Sequence, residues 1–392
     1  MTRKNTPVIV GAGTTEQFGQ FPDRSILELA TEALKNALED TGIGRDELDG
    51  LVTNMGSPLS RHYDRLCEAL ALDVGFTAQY WAHGRWVGSG LQHAAMAVET
   101  GVAEYVAVGL GLKFTAVDQM GGEESVSLSE IGSIGEHSER PWYGMTAPVG
   151  GNALATRYYM EKYGATSEDL AHISKTFREH AALDPRSHFS KPIDIEDHQA
   201  SRYIVDPLRL FDCAPLSDGG AYLIVTTAEN AASLPNDPAY VASMEGLHAG
   251  RENHLFARPG MGIRTQREYE YDASVTDPVY ERAGVTRDDI DALYTYDAFT
   301  PNVWYALERW GFCEPGTAFE FARDGNISLD GELPMNTHGG LLSNGHISAW
   351  NHLVEMYNQL RGEADKRQIA NADTVQFATP FGDSIILRNE EP

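Results

Sequence analysis

Positive charge is scarce in this chain. Its 392 residues include only seven lysines, and 30 Lys and Arg together stand against 57 Asp and Glu, for a net charge of −27. Such an excess of acid repels phosphate backbones and argues against nucleic acid as a partner. Cysteine is also rare. Cys67, Cys213 and Cys313 lie far apart with no CxxC pair, which excludes a disulfide framework or a zinc ribbon. No apolar run approaches the ~18 residues of a membrane helix. The opening "MTRKNTPVIVGAG" is basic, but its apolar stretch is too short for a signal peptide. A soluble, cytoplasmic protein is expected.

What is present is ample apolar residue, 42% of the chain, enough for a large α/β interior. "TPVIVGAG" (6–13), "LDGLVTNM" (48–55) and "YVAVGLGL" (105–112) read as buried strands. "SILELATEALKNALEDTG" (25–42) places Ile26, Leu29, Ala33, Leu34 and Leu38 at helical spacing and stops on Gly42. "GSGLQHAAMAVETG" (88–101) reads as a helix opening on glycines. Alternating strand and helix predicts a mostly parallel sheet covered on both faces.

The chain repeats itself. "GIGRDELDGLVTN" (42–54) and "GVTRDDIDALYTY" (284–296) align without a gap at an offset of 242. Each copy is followed by a glycine-rich stretch, "GSGLQHAAMAV" and "GGLLSNGHISAW". Duplication of one α/β unit predicts a pseudo-twofold that brings the two glycine-rich helix starts together. The expected halves are 1–235 and 236–392, divided in the Pro-rich "ASLPNDPAY", with an insertion at about 113–200. Within that insertion, "QMGGEESVSLSEIGSIGEHSERPWYGMTAPVGG" has no period and reads as a loop covering a site. The following 152–185 reads as helical, with a Thr-Ser-Glu-Asp cap.

In "HGGLLSNGHIS" (338–348), two histidines flank small residues just before a long amphipathic run. Such a pattern lets backbone come close to a ligand beside a titratable group. His338 and His346 have no third ligand at metal spacing, so no metal is expected. "GAGTTEQFG" (11–19) fails as a dinucleotide loop because Glu16 fills the third glycine's place. "AGRENHLFARPG" (249–260) reads as a solvated loop.

Together, "GSGLQHAAMAVETGVAEYVAVGLG", "DPLRLFDCAPLSDGGAYLIV", "YDAFT" and "NTHGGLLSNGH" resemble, in order and over nearly the whole chain, the thiolase superfamily. They resemble most its lipid-transfer, sterol-carrier type and the steroid side-chain aldolases built on that fold. The resemblance implies two duplicated βαβαβαββ halves in an αβαβα stack. It also shows departures. Val87 stands where thiolases carry the acylated cysteine, and about Thr379 where they carry the second. Tyr296 replaces the asparagine of the "NEAF"-like segment, as in the aldolase group, while His346 keeps the thiolase histidine.

The resemblance therefore implies retro-aldol cleavage of a branched β-hydroxyacyl-CoA, such as a steroid side chain, with Tyr296 and His346 catalytic. It implies substrate contacts at His338, Gly339, Gly340, Ser89 and Gly382. Acyl-CoA is substrate and no other cofactor is expected. Alternatives are an acyl-CoA acyltransferase of the acetyl-CoA acetyltransferase type, with Ser89 as the one other nucleophile, or a non-catalytic CoA-thioester binder. The expected assembly is a homodimer joined by two copies of a small OB-fold, zinc-ribbon partner, a heterotetramer. The lack of a basic stripe for the CoA phosphates fits a channel completed by that partner.

Overall fold

The structure is a computed structural model, and it describes residues 5–54, 62–79, 87–114, 148–246 and 273–392. The first half runs β1 (Pro7–Thr14), α1 (Ile26–Thr41), β2 (Gly50–Asn54), α2 (His62–Leu70), β3 (Phe76–Gln79), α3 (Val87–Glu99) and β4 (Val106–Lys113). Helices α4 (Pro148–Tyr163) and α5 (Ser167–Ala181) follow, then β5 (Asp218–Thr227) closes the half. The second half runs β6 (Ala239–Glu245), α6 (Asp277–Ala283), β7 (Ala292–Tyr294), α7 (Pro301–Arg309), α8 (Gly340–Ser343), α9 (Trp350–Leu360), β8 (Thr374–Ala378) and β9 (Ser384–Arg388).

Helix α1 forms as its sequence dictates. Ser25 caps it in a capping box with Glu28, Gly42 ends it in the left-handed region at φ +78°, and its apolar stripe is buried. The segment 152–185 is two helices, not one. They are broken at Gly164 (φ +82°), and Thr166 and Asp169 cap the second reciprocally.

The strands form one ladder in the order β3-β2-β4-β5-β1-β6-β9-β8-β7. Read outward from the β1/β6 seam, β1, β5, β4 and β2 on one side correspond to β6, β9, β8 and β7 on the other. Only Val8–Tyr240 and Ile9–Ala239 pair across the seam, so the halves can face each other. Alternation along the strands separates three cores. Val8, Val10, Tyr222 and Ile224 face α1 and α2. Ile9, Leu223, Val225, Val375, Phe377 and Ile385 enclose α3 and α9 between the half-sheets. Leu293 and Ile386 face α4, α5, α6 and α7. This is the expected αβαβα stack.

The second half departs from the first in one detail. The place of a third strand is held by a single parallel bridge, Leu293–Met335. Pro334 precedes it and has no N–H to extend a ladder. The repeat at offset 242 is real at the level of hydrogen bonds. Asp49 accepts from the backbone N–H of Glu104 and Tyr105, and Asp291 accepts from those of Asp373 and Thr374. Asparagine 236, in the expected junction, ties Val10 and Asp40 carbonyls to the start of the second half. Part of the expected covering loop and all of 249–260 lie outside the described residues.

Candidate active site

Strand β7 ends at Tyr294, and the chain after it is held rigidly. Asn336 clasps the Thr295 peptide from both sides, with Thr295 N–H to its Oδ1 at 2.9 Å and its Nδ2 to Thr295 O at 3.2 Å. His352 Nε2 donates to Thr295 O at 2.8 Å, and Asn302 Nδ2 to Tyr296 O at 3.1 Å. Asn336 adopts φ +42° to do this, a backbone state that asparagine tolerates better than most residues.

His346 stands on the turn between α8 and α9. Asn351 Nδ2 holds that turn through Asn344 Oδ1 (2.9 Å) and Gly345 O (3.1 Å). The backbone N–H of His188 reaches Asn344 O at 2.7 Å. A side chain on Gly345 would run into Phe18. These two scaffolds bring Tyr296 Oη and His346 Nε2 to 3.2 Å. Tyr296 is 5% exposed. Phe114 stacks on the other face of the imidazole at 4.8 Å. Burial among such groups favours neutral imidazole and pushes His346 down to about 4, with Asp297 pulling weakly the other way.

Asp297 was not singled out in the sequence, yet it sits at the centre of the site. Its carboxylate is fully buried and accepts from Leu341 N–H (2.8 Å), Leu342 N–H (3.2 Å) and His352 Nε2 (3.1 Å). Gly340, at φ +64°, permits this, because any side chain there would collide with the carboxylate. Gly339, at φ +99°, likewise passes against Phe177 and Ala181. At both glycines, close packing fills the side on which a Cβ would project.

The structure also revises the paired helix starts. Gly340–Ser343 is a single turn, and the helix lying against α3 is α9, with Trp350 packed on Gly90. His338 is 1% exposed, 4.7 Å from the His352 ring and 6.1 Å from Tyr294. Neither of its nitrogens has a hydrogen-bond partner, and burial holds it well below the usual histidine range. It lies next to His352 and Tyr294, not in the Tyr296–His346 contact.

The two positions that hold cysteine in thiolases are linked through Gly88 and Asp383. Val87 opens α3 and is fully buried. Gly88 lies against Asp383, whose carboxylate takes a short hydrogen bond from Thr379 Oγ1. Gly382, at φ +102°, forms the turn between them by donating to Thr379 O at 3.2 Å. Ser89 lies in the first turn of α3, and its carbonyl accepts from His93 Nδ1 at 2.9 Å. Cys213 and Cys313 are pushed up to about 12 by burial, so neither offers a thiolate. Among the described residues, no cluster of His, Cys, Asp or Glu could hold a metal, and no helix is long and apolar enough to cross a membrane.

Comparison with known proteins identifies the family. Residues 272–380 match the family described as "Thiolase C-terminal domain-like". The chain is 35% identical to the "Steroid side-chain-cleaving aldolase" of Thermomonospora curvata, over 90% of each chain. It is 34% identical to the "17-hydroxy-3-oxo-4-pregnene-20-carboxyl-CoA lyase" of Mycobacterium tuberculosis, over 90% of this chain and 91% of the other. The solved "Ltp2-ChsH2(DUF35) aldolase" superposes with a TM-score of 0.84 at 32% identity, over 98% of this chain and 97% of that one. Sequence identity over nine-tenths of the chain and a shared layered fold make this protein a member of the thiolase superfamily, in the branch that holds the thiolase-fold aldolases.

Proposed function

We infer that the chain cleaves the Cα–Cβ bond of a β-hydroxyacyl-CoA by a retro-aldol reaction, with a steroid side chain as the acyl group. The observation that carries this reading is the Tyr296–His346 contact, 3.2 Å long, in a site where Val87 and Thr379 stand in place of thiols. A thioester to valine is impossible, so acyl transfer through the usual enzyme thioester is closed. Retro-aldol cleavage needs only an acid and a base.

The pair supplies both. Tyr296 donates its phenolic proton to neutral His346 Nε2 as its oxygen takes the proton of the substrate's β-hydroxyl. The electrons freed on that oxygen form the new carbonyl. The Cα–Cβ bond breaks, leaving its pair on the thioester enolate. The imidazolium then protonates the α-carbon, and Tyr296 keeps the proton it took, so the pair returns to its starting state. A histidine held near a pKa of 4 gives up that proton readily. The products are a ketone or aldehyde and a shorter acyl-CoA, such as propionyl-CoA or acetyl-CoA. In this reading Ser89, in the first turn of α3, and Gly382, on the turn beside Asp383, contact the thioester.

The working assembly in this reading is two copies of the chain with two copies of a small OB-fold, zinc-ribbon partner. Support comes from the similar "Ltp2-ChsH2(DUF35) aldolase", a name that joins two components.

The test is direct. Incubation with a steroid β-hydroxyacyl-CoA should yield equimolar ketone and shorter acyl-CoA by mass spectrometry. Labelled acetyl-CoA should leave no label on the protein. Covalent labelling, or thiolytic rather than aldol products, sinks this reading.

A further inference from the structure

Arg178, on α5, is an interior cation without a counter-ion. It is 7% exposed. Its guanidinium lies 4.4 Å from the Phe189 ring and 5.5 Å from that of Phe211, which fixes its plane. Its Nε donates to Ser343 Oγ at 3.0 Å, which fixes its rotation. The two terminal nitrogens have no acceptor among the described residues, and no carboxylate lies within ion-pair distance.

Arg367 and Arg361 differ. Arg367 pairs with Glu355 at 2.9 Å and Arg361 with Asp40 at 3.1 Å, and both are pushed above the usual arginine range. Arg178 moves the other way. Burial pushes it down to about 10, with no neighbouring carboxylate to offset it. Leaving a buried charge uncompensated costs several kcal/mol, and in a chain with 57 acidic residues a counter-ion was readily available. His188 lies beside it. Its Nδ1 is 3.0 Å from Ser217 Oγ, and burial and the Arg178 charge hold it below the usual range. The whole group abuts the turn that carries His346, through Phe189 N–H to Ser343 O at 3.1 Å and His188 N–H to Asn344 O at 2.7 Å.

We propose that Arg178 and His188 form an oxyanion site, and that the phosphates of the CoA moiety are the oxyanion it takes. A guanidinium held flat between two rings presents its remaining N–H groups as a fixed fork, the geometry that suits a phosphate. The identity of the ligand rests on the aldolase reading above; the oxyanion site does not.

The test measures binding, so it reads out whether or not the protein turns over. The full-length chain, with or without a co-purified partner, is titrated calorimetrically with CoA, dephospho-CoA, pantetheine and inorganic phosphate. Arg178→Gln should weaken CoA at least tenfold and leave pantetheine unchanged. Arg178→Lys, which keeps the charge, should recover part of the loss and serves if the Gln variant does not fold. If dephospho-CoA is equally weakened by Arg178→Gln, the diphosphate is the contact; if it is spared, the 3′-phosphate is. Loss of inorganic phosphate binding alone would leave the oxyanion site standing and overturn its assignment to CoA. Unchanged affinity of folded Arg178→Gln for CoA and for phosphate would overturn the proposal whole. An active enzyme with that last result keeps the aldolase function and loses only the site. Tight CoA binding that depends on Arg178 in a protein that cleaves nothing does the reverse.

Discussion

Asp297 Oδ1 lies 3.1 Å from His352 Nε2, and the same carboxylate takes the backbone N–H groups of Leu341 and Leu342. One side chain thus grips both ends of the segment that carries His346, while the residue before it is Tyr296. The separation of phenol and imidazole follows from this clamp. Asp297→Ala should leave the Leu341 and Leu342 N–H donors unpaired, at about 1–3 kcal/mol each before relaxation, while His352 Nε2 keeps Thr295 O. We expect a net loss of about 2–5 kcal/mol in chemical denaturation. Asp297→Asn keeps one acceptor and should fold, yet lose at least ~10-fold in turnover because the pair is no longer held in register. Wild-type turnover in the Asn variant would show that the clamp does not set the site.

Tyr296→Phe and His346→Ala should each lower turnover by about 10²-fold or more, the usual scale for losing an acid or base. Val87→Ala, next to the same site, should cost far less. Because both catalytic variants remove one end of a single hydrogen bond, the double variant should be little worse than either single one. Stopped-flow assay of the three proteins on one β-hydroxyacyl-CoA decides this. Full activity in Tyr296→Phe refutes the assignment.

Much of this was legible in the sequence. The repeat at 42–54 and 284–296 led to matching aspartates, because Asp49 and Asp291 hold the next parallel strand in the same way in each half. Tyr296 and His346 were legible through resemblance, because each stands at a position where the residue type is itself informative. Asp297, Asn336 and His352 were not. Each works by accepting or donating to backbone brought close only by the fold, and no local spacing records that. Gly340 has a role that was not legible: a glycine that admits a ligand and one that admits a neighbouring carboxylate look alike in one dimension. Arg178 escaped notice because what distinguishes it is the lack of a carboxylate in space.

Acid should destabilise the fold through its buried histidines. His180 and His346 are each pushed down to about 4 by burial, and His338 lies well below the usual value. The unfolded chain binds protons at these sites near pH 6.5 while the folded one does not. Stability should therefore be flat above about pH 6.5 and fall as pH drops from there toward 4, by about 1.4 kcal/mol per pH unit for each such histidine. His180, whose Nδ1 donates to Asn336 O (3.3 Å) and which is not in the proposed reaction, offers the cleanest test. His180→Gln should be less stable at pH 7.5 but show a shallower loss between pH 6.5 and 4.5. An unchanged slope, measured by urea unfolding at several pH values, would mean that His180 is not held neutral.

The partner can be tested without knowing the substrate. Leu154 (54% exposed), Tyr203 (49%) and Leu210 (41%) leave large apolar side chains at the surface of the segment that follows α3 and β4, a burden that a docked protein would relieve. The chain also lacks a basic stripe to hold CoA unaided. If a small OB-fold, zinc-ribbon protein completes the acyl-CoA channel, the chain expressed alone should be poorly soluble or nearly inactive. Co-expression with such a protein encoded beside it should give one peak on size exclusion, with the mass of two long and two short chains, and cleavage activity in the same fractions. Exposing that complex to a zinc chelator should lower activity, since the metal would sit in the partner, whose fold depends on it. The isolated chain, left untouched by the chelator, supplies the control. A purified homodimer with full retro-aldol activity and no partner would overturn the heterotetramer while leaving the chemistry of Tyr296 and His346 intact.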